Sequence, residues 1–365
     1  MHAQIFRTRV ESLRRSLRDG GFDGGMLVPG PNLRYFTGIH SLLLERPFML
    51  FVPAEGIPHL LAPRLEAGPY ASCPVEMEIH QWTDSEGWDR AYRDLTRGLK
   101  VRGRWGVEGR VPYLFVYRLL KHSTPTLEDA EPILQGLREV KDAEEIILLK
   151  KASVLLGDSF KEFPGVLKEG VTELELARKA TEIIYSKGAT RVEDVLVQSG
   201  ERGADPHGLP SSRKLRRGEG IIFDISCEYE GYYADITRTL CLGASRELAD
   251  VYSKVLDAEV AGIRAGAAGV EVGEVDLAAR NRLAKAGLGK YFIHRTGHGL
   301  GLEVHEAPYI VEGGKEKLRD GMCYTVEPGA YLRGKLGVRI EDDVLMEKGR
   351  AKEITTPPKE YGWWA

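Results

Sequence analysis

Cysteine is scarce in this chain. Cys73, Cys227, Cys241 and Cys323 are scattered through 365 residues and never form a C-x-x-C spacing. A disulfide framework and a thiolate metal site are thereby excluded, and four buried, reduced thiols of a cytoplasmic protein are expected. Long hydrophobic runs are missing as well. No stretch approaches the roughly 18 apolar residues that cross a bilayer, so no membrane partner is expected. The opening MHAQIFRTRVESLRRSLRDG spreads its apolar residues at helical spacing and reads as an amphipathic helix, not a signal peptide. Nor is there an excess of one charge. Lys and Arg number 51 against 54 Asp and Glu, a net charge of −3, so no strong field draws nucleic acid or an acidic membrane. Low-complexity segments are absent. What remains is an ordinary globular composition, 42% apolar and 29% charged, in a chain long enough for two domains.

The first part alternates element types. A helix over about 3–19 leads to a strand at Gly25–Val28, a turn at Pro29–Gly30–Pro31 and a helix starting at Asn32. The runs PFMLFVP, PHLLAP and RWGVEG read as strands, and Trp88–Leu99 and Pro112–Lys121 as helices. This is an α/β domain of residues 1–137, followed by a second domain of residues 138–365 that opens on a long helix. The second domain carries a weak internal repeat, GVTELELA at 170–177 and GVEVGEVDLA at 269–278. Each copy follows a long helix, leads into another that stops at glycine, and is succeeded by strand-rich sequence. Thr172 and Glu175 form a capping box for the first copy.

Within the second domain, Asp224, Asp235, Glu327 and Glu341 each sit in or beside an apolar strand-like run. Converging carboxylates raise one another's pKa, and desolvation raises it further, unless cations neutralise them. Two divalent ions remove the conflict and supply a hydrolytic device. The strands GIIFDIS and YYADITRTLCL flank EYEG, and a hairpin symmetric about Tyr229–Glu230 puts Asp224 directly opposite Asp235. A bulge would put one Asp on the wrong face. Symmetry about Gly334 pairs Glu327 with Glu341 in the same way. Arg339, two residues before Glu341, shares its face and can serve the site or a substrate anion. His298, between glycines in RTGHGLGLEVHE, completes the set, and His305 and His207 are further candidates. Of nine histidines, four lie between 207 and 305. Asp342 and Asp343 read as solvated or salt-bridged neighbours, and Cys227 and Cys241 as core fillers. Oxygen ligands with one imidazole suit Mn²⁺, Co²⁺ or Fe²⁺, with Zn²⁺ an option.

The segments DISCEYEGYYADITRT, TGHGLGLEVHE, EPG and RIEDD resemble the signatures of the pita-bread metallopeptidases, the group of prolidase, aminopeptidase P and methionine aminopeptidase. Residues 138–350 carry the resemblance most strongly. The first 135 residues resemble the creatinase-type N-terminal domain of the Xaa-Pro members, which methionine aminopeptidases lack. The implied fold is an α+β pita-bread catalytic domain with an internal pseudo-two-fold, preceded by a smaller α/β domain. By resemblance Asp224 binds one metal, Asp235 and Glu341 bridge both, and His298 and Glu327 bind the other, Mn²⁺ being the first expectation. His207 and His305 match the histidines that hold the substrate carbonyl. Ser226 departs from a position where many members have glycine.

The implied activity is cleavage of the imide bond of Xaa-Pro dipeptides, with aminopeptidase P action on longer Xaa-Pro peptides as the alternative. A dipeptidase must bind a free carboxylate next to proline, and Arg46 or Arg339 is the cation for it. A homodimer is implied, with a partner subunit closing the site. Two rival readings are metal-free C–N hydrolysis of a small amidine or urea-like compound, and a non-catalytic binding module. Both go with degraded ligand sets, whereas all five positions here are intact.

Overall fold

The computed structural model describes residues 2–364, and the chain divides into two compact units, Met1–Arg138 and Glu139–Ala365. Met1 and Ala365, the outer limits of the two expected domains, lie outside the described residues.

The N-terminal unit runs α1 (Ala3–Asp19), β1 (Gly24–Leu27), α2 (Pro31–Thr37), β2 (Met49–Pro53), β3 (His59–Pro63), β4 (Glu78–Trp82), α3 (Asp89–Gly98), β5 (Arg102–Val107), α4 (Tyr113–Leu119), β6 (Thr124–Asp129) and α5 (Glu131–Arg138). Phe6, Val10, Leu13 and Leu17 of α1 are buried at helical spacing. The strands form one sheet in the order β4-β3-β2-β1-β5-β6. Its two edge strands, β4 and β6, escape sequence reading. Their segments EIHQW and TPTLED are polar or proline-bearing, which an edge tolerates because one side of the backbone needs no partner.

The C-terminal unit begins with α6 (Ala143–Phe160) and α7 (Glu173–Ser186), followed by the antiparallel strands β7 (Arg191–Ser199), β8 (Gly220–Tyr229) and β9 (Tyr232–Cys241). Two more helices, α8 (Arg246–Ala265) and α9 (Val272–Lys285), precede β10 (Gly297–Gly299), β11 (Glu306–Ile310), β12 (Cys323–Val326), β13 (Gly329–Leu332), β14 (Leu336–Arg339), β15 (Asp342–Glu347) and β16 (Arg350–Glu353). A helix pair followed by antiparallel strands thus occurs twice. The Thr172–Glu175 capping box is present, whereas Glu271, before α9, caps nothing with its side chain.

The β8–β9 hairpin turns one residue later than symmetry about Tyr229–Glu230 requires. Tyr229 pairs with Tyr232, and Glu230 and Gly231 take φ of 49° and 99°. Both central residues therefore lie in the left-handed region that a two-residue hairpin turn needs. Asp224 consequently pairs with Thr237, and Asp235 with Ser226. A shift of two in register leaves each side chain on its original face, so both aspartates still project together. Ile221, Phe223, Ile225 and Cys227 alternate with them and pack with Leu156, Leu176 and Ile184 of the helices.

Two other expectations are corrected in part. Cys73 is only partly buried, although the other thiols are buried and all four are free. Asp342 and Asp343 are fully buried, so neither is solvated, and of the two alternatives Asp342 takes the salt-bridged one, with Arg238 and Lys359. The aromatic tail, on whose packing the sequence is silent, lies on its own unit: Tyr361 and Trp364 meet Tyr252 edge-on, and the Tyr361 hydroxyl donates to the Ser245 carbonyl at 3.1 Å.

Candidate metal centre

Two strand ladders in one register frame the site. Val326 pairs with Asp342 in β12–β15, and Gly329 with Arg339 in β13–β14. Glu327 and Glu341 occupy the step between them. Both ladders keep the register of a turn about Gly334, and Pro328 interrupts the pairing at that step. Glu341 turns its backbone to the first sheet instead, its amide donating to the Thr237 carbonyl at 3.1 Å. The Thr237 hydroxyl donates to Glu341 Oε2 at 2.6 Å. The polar face of the first hairpin is thereby joined to the strands that carry both glutamates.

Ligand atoms of Asp235, His298 and Glu341 lie within 4.8 Å of one another, all three residues buried. His298 Nε2 is 3.3 Å from Glu327 Oε1 and 3.9 Å from Asp235 Oδ2. Its Nδ1 faces the Gly299 carbonyl at 3.1 Å, which assigns a proton to Nδ1 and directs Nε2 at the carboxylates. Asp224, the fifth expected residue, lines the same cavity, with one oxygen on the Arg339 guanidinium.

The electrostatics are those of a crowded, buried anionic cluster. Burial, then the charges of Asp224, Asp343 and Glu327, push Asp235 well above the carboxylate range. Burial and the same kind of crowding push Glu341 up. Burial also works to raise Glu327, but the hydrogen bond and charge of His298, with His294 and Arg339, hold it at about 2. Two carboxyls driven toward neutrality beside one held ionised is the conflict that divalent cations relieve. The donor set, oxygen-rich with a single imidazole, fits such ions.

The cavity above these groups has a volume of about 590 Å³, within the usual range for small-molecule sites. His207 and His305 both line it and keep exposed faces. Burial, then the neighbouring His298 and Arg295, lowers His305 to about 4, so it is neutral at physiological pH and carries one N–H to donate. Arg339 is buried and engaged, donating to Asp224, to the Tyr331 hydroxyl at 2.7 Å and to the Thr237 hydroxyl at 3.3 Å. It serves the site's own carboxylate. Arg46 belongs to the other unit, where its guanidinium holds Asp84 through two nitrogens at 3.1 Å each.

Sequence reading missed several cavity residues. His294 Nε2 meets the Tyr331 hydroxyl at 2.8 Å, so His294, Tyr331, Arg339 and Asp224 form one chain of contacts. Arg295 lines the cavity with its guanidinium over the Tyr309 ring, 4.7 Å from the centroid. Asp194 reaches the cavity from a bulge in β7, at φ 49°. Nothing in RVEDVLVQ signals that bulge. Ser226 supports it, its hydroxyl donating to the Glu193 carbonyl at 3.2 Å, so the departure from glycine there is accommodated. Asp343 accepts from the Ser153 hydroxyl at 2.8 Å and the Asp235 amide at 3.2 Å, and Asp342 is paired with Arg238 at 2.6 Å.

Buried carboxylates and an imidazole meeting between antiparallel strands beneath a histidine-lined cavity define a metal-dependent hydrolase. The chain belongs to metallopeptidase family M24, which it matches over residues 148–348, and residues 9–140 match the creatinase/prolidase N-terminal domain. It is 35% identical to a probable dipeptidase, PepE, of Mycobacterium tuberculosis, over 98% of this chain and 96% of that one. Among solved structures, a recombinant prolidase from Thermococcus sibiricus superposes with a TM-score of 0.93 at 37% identity, covering 99% of each chain. A dipeptidase from Pyrococcus horikoshii gives 0.92 at 36% identity, over 97% of this chain and 99% of that one.

Proposed function

We propose that the protein is an Xaa-Pro dipeptidase whose centre takes two divalent metal ions on Asp224, Asp235, His298, Glu327 and Glu341. The observation that carries this reading is the convergence of Asp235, His298 and Glu341 beneath one cavity that Asp224 and Glu327 also line. Bound there, the ions supply a Lewis acid for the scissile carbonyl and an activated water. The chain's own groups do the rest. His207 and His305 donate to the carbonyl oxygen as negative charge develops on it. Glu327, held ionised, accepts the proton of the attacking water and passes it to the proline nitrogen. An imide bond has no N–H, so this design depends on the carbonyl and the leaving nitrogen alone.

Arg295 is the group for the dipeptide's free carboxylate, in place of Arg339 and Arg46. Among the described residues no carboxylate lies in ion-pair reach of it, and Tyr309 holds its guanidinium at the cavity wall. Manganese, a homodimer and a cytoplasmic location belong to the same reading, supported by the donor set, the family resemblance and the scattered cysteines respectively. The test compares Gly-Pro and Met-Pro with Xaa-Pro-Xaa tripeptides after metal loading. Dipeptide preference is expected, and Arg295→Ala raises KM for the dipeptides about 10- to 100-fold while leaving tripeptides nearly unchanged. Preference for tripeptides points to aminopeptidase action, and full activity in Glu327→Gln overturns the peptidase mechanism.

A further inference from the structure

A second group of metal-ligating side chains lies in the N-terminal unit. β3 and β4 run parallel, with His59 paired to Glu78 and Leu61 to His80. The three polar residues therefore share one face of the sheet, at the end where the edge strand begins. His59 Nδ1 and His80 Nε2 are 3.1 Å apart. Glu78 Oε1 is 3.3 Å from His80 Nε2, and Oε2 is 3.6 Å from His59 Nδ1. Ligands held about 2.0–2.1 Å from a tetrahedral zinc ion stand roughly 3.3 Å from one another. The observed edges bracket that value.

We propose that His59, Glu78 and His80 form a binding site for a transition-metal dication of the zinc class, separate from the peptidase centre. Two imidazoles and one carboxylate are a donor set of that class, and thiolates are not required. Both imidazoles are mostly buried, and burial lowers their pKa, opposed by Glu78 and, for His80, by Asp94 on α3. Burial thus favours their neutral forms, the forms in which an imidazole can ligate a metal ion. Glu78 is exposed, so the fourth position opens to solvent. An ion here ties the edge strand β4 to β3 through side chains on both strands. It stabilises a boundary of the sheet that otherwise depends on a single ladder.

The inference is independent of the peptidase reading, and its test has a separate readout. Full-length wild type, His80→Ala, His59→Gln and Glu78→Gln are dialysed to equilibrium against micromolar Zn²⁺, and bound zinc is counted per chain. Wild type is expected to hold one ion more than His80→Ala and His59→Gln, with Glu78→Gln binding that ion at least tenfold more weakly. Hydrogen exchange on intact protein is expected to show added protection of β3 and β4 amides with zinc in wild type only. Variants that melt as wild type does in chelator report on binding and not on folding. Equal zinc content in wild type and the histidine variants, with no change in β3–β4 exchange, overturns the proposal.

Discussion

Arg339 is the residue on which the site's internal geometry turns. Its fork reaches Asp224 and Tyr331 together, and Tyr331 in turn meets His294. A lysine ammonium is a single point and cannot serve two partners in that planar arrangement. Arg339→Lys is expected to lower kcat/KM and metal affinity by about 10- to 100-fold, the usual effect of losing a group that orients a ligand. Metal titration alongside steady-state kinetics checks both. Tyr331→Phe is expected to cause a smaller loss of kcat, about tenfold, with metal content retained, because Arg339 keeps Asp224. Neither Tyr331 nor His294 stood out in the sequence, since a tyrosine in an apolar run and a histidine near an arginine are common. His298 did stand out, because glycine flanks it on both sides.

At the scale of the element, those glycines have a more specific role than flexibility. A Cβ at Gly297 would lie 1.9 Å from the Thr325 carbonyl oxygen, and one at Gly299 would lie 2.1 Å from that of Ala307. β10 is squeezed between the backbones of β11 and β12, and only hydrogen fits at those two positions. Gly299→Ala is expected to destabilise the protein by at least about 2 kcal/mol and to displace His298. Thermal melting of the chelated protein and zinc or manganese titration separate the two effects.

A second element-scale prediction concerns the junction of β1 and α2. Glu108 accepts from the Val28 amide and from Asn32 Nδ2, both at 2.6 Å. Burial pushes it up to about 7 against these two hydrogen bonds. Its folded pKa thus exceeds its unfolded one, so the folded state binds more protons between the two values. Stability is fully present below the ordinary carboxylate range and is lost as pH rises through about 7, by about 2–3 kcal/mol. Amide exchange of β1 in the full chain is expected to quicken from pH 5 to pH 8 once corrected for intrinsic rate, and Glu108→Gln to flatten that slope.

For the whole molecule, the proposed metal centre ties ion binding to folding through its carboxylates. Asp235 and Glu341 are buried among anions, and each is driven toward its neutral form. Ions that bind only the folded state add about 4 kcal/mol at a thousandfold excess over Kd. Chelation is expected to lower Tm by roughly 10 °C and to abolish activity, and re-addition of metal to restore both. A calorimetric scan with and without chelator measures it, and an unchanged Tm would contradict the link.

Much of this site was legible because its chemistry is unusual for its surroundings. Carboxylates in apolar strands and a histidine between glycines are improbable as packing. Period-2 alternation puts Asp224 and Asp235 on one face for any turn that shifts the register by an even number of residues. The local signals also determined the helix starts at Asp142 and Thr172, whose capping boxes need only residues three apart. Tertiary structure decided the rest. The turn at Glu230–Gly231 follows from which two residues adopt positive φ, and EYEG offers more than one choice. Asp194 enters the cavity only because β7 bulges against β8. Arg339 turns to Asp224, 115 residues earlier, because β14 lies across the first hairpin. Residue type and period are properties of neighbours in the chain, whereas the partner of a buried charge is set by packing between segments far apart in it.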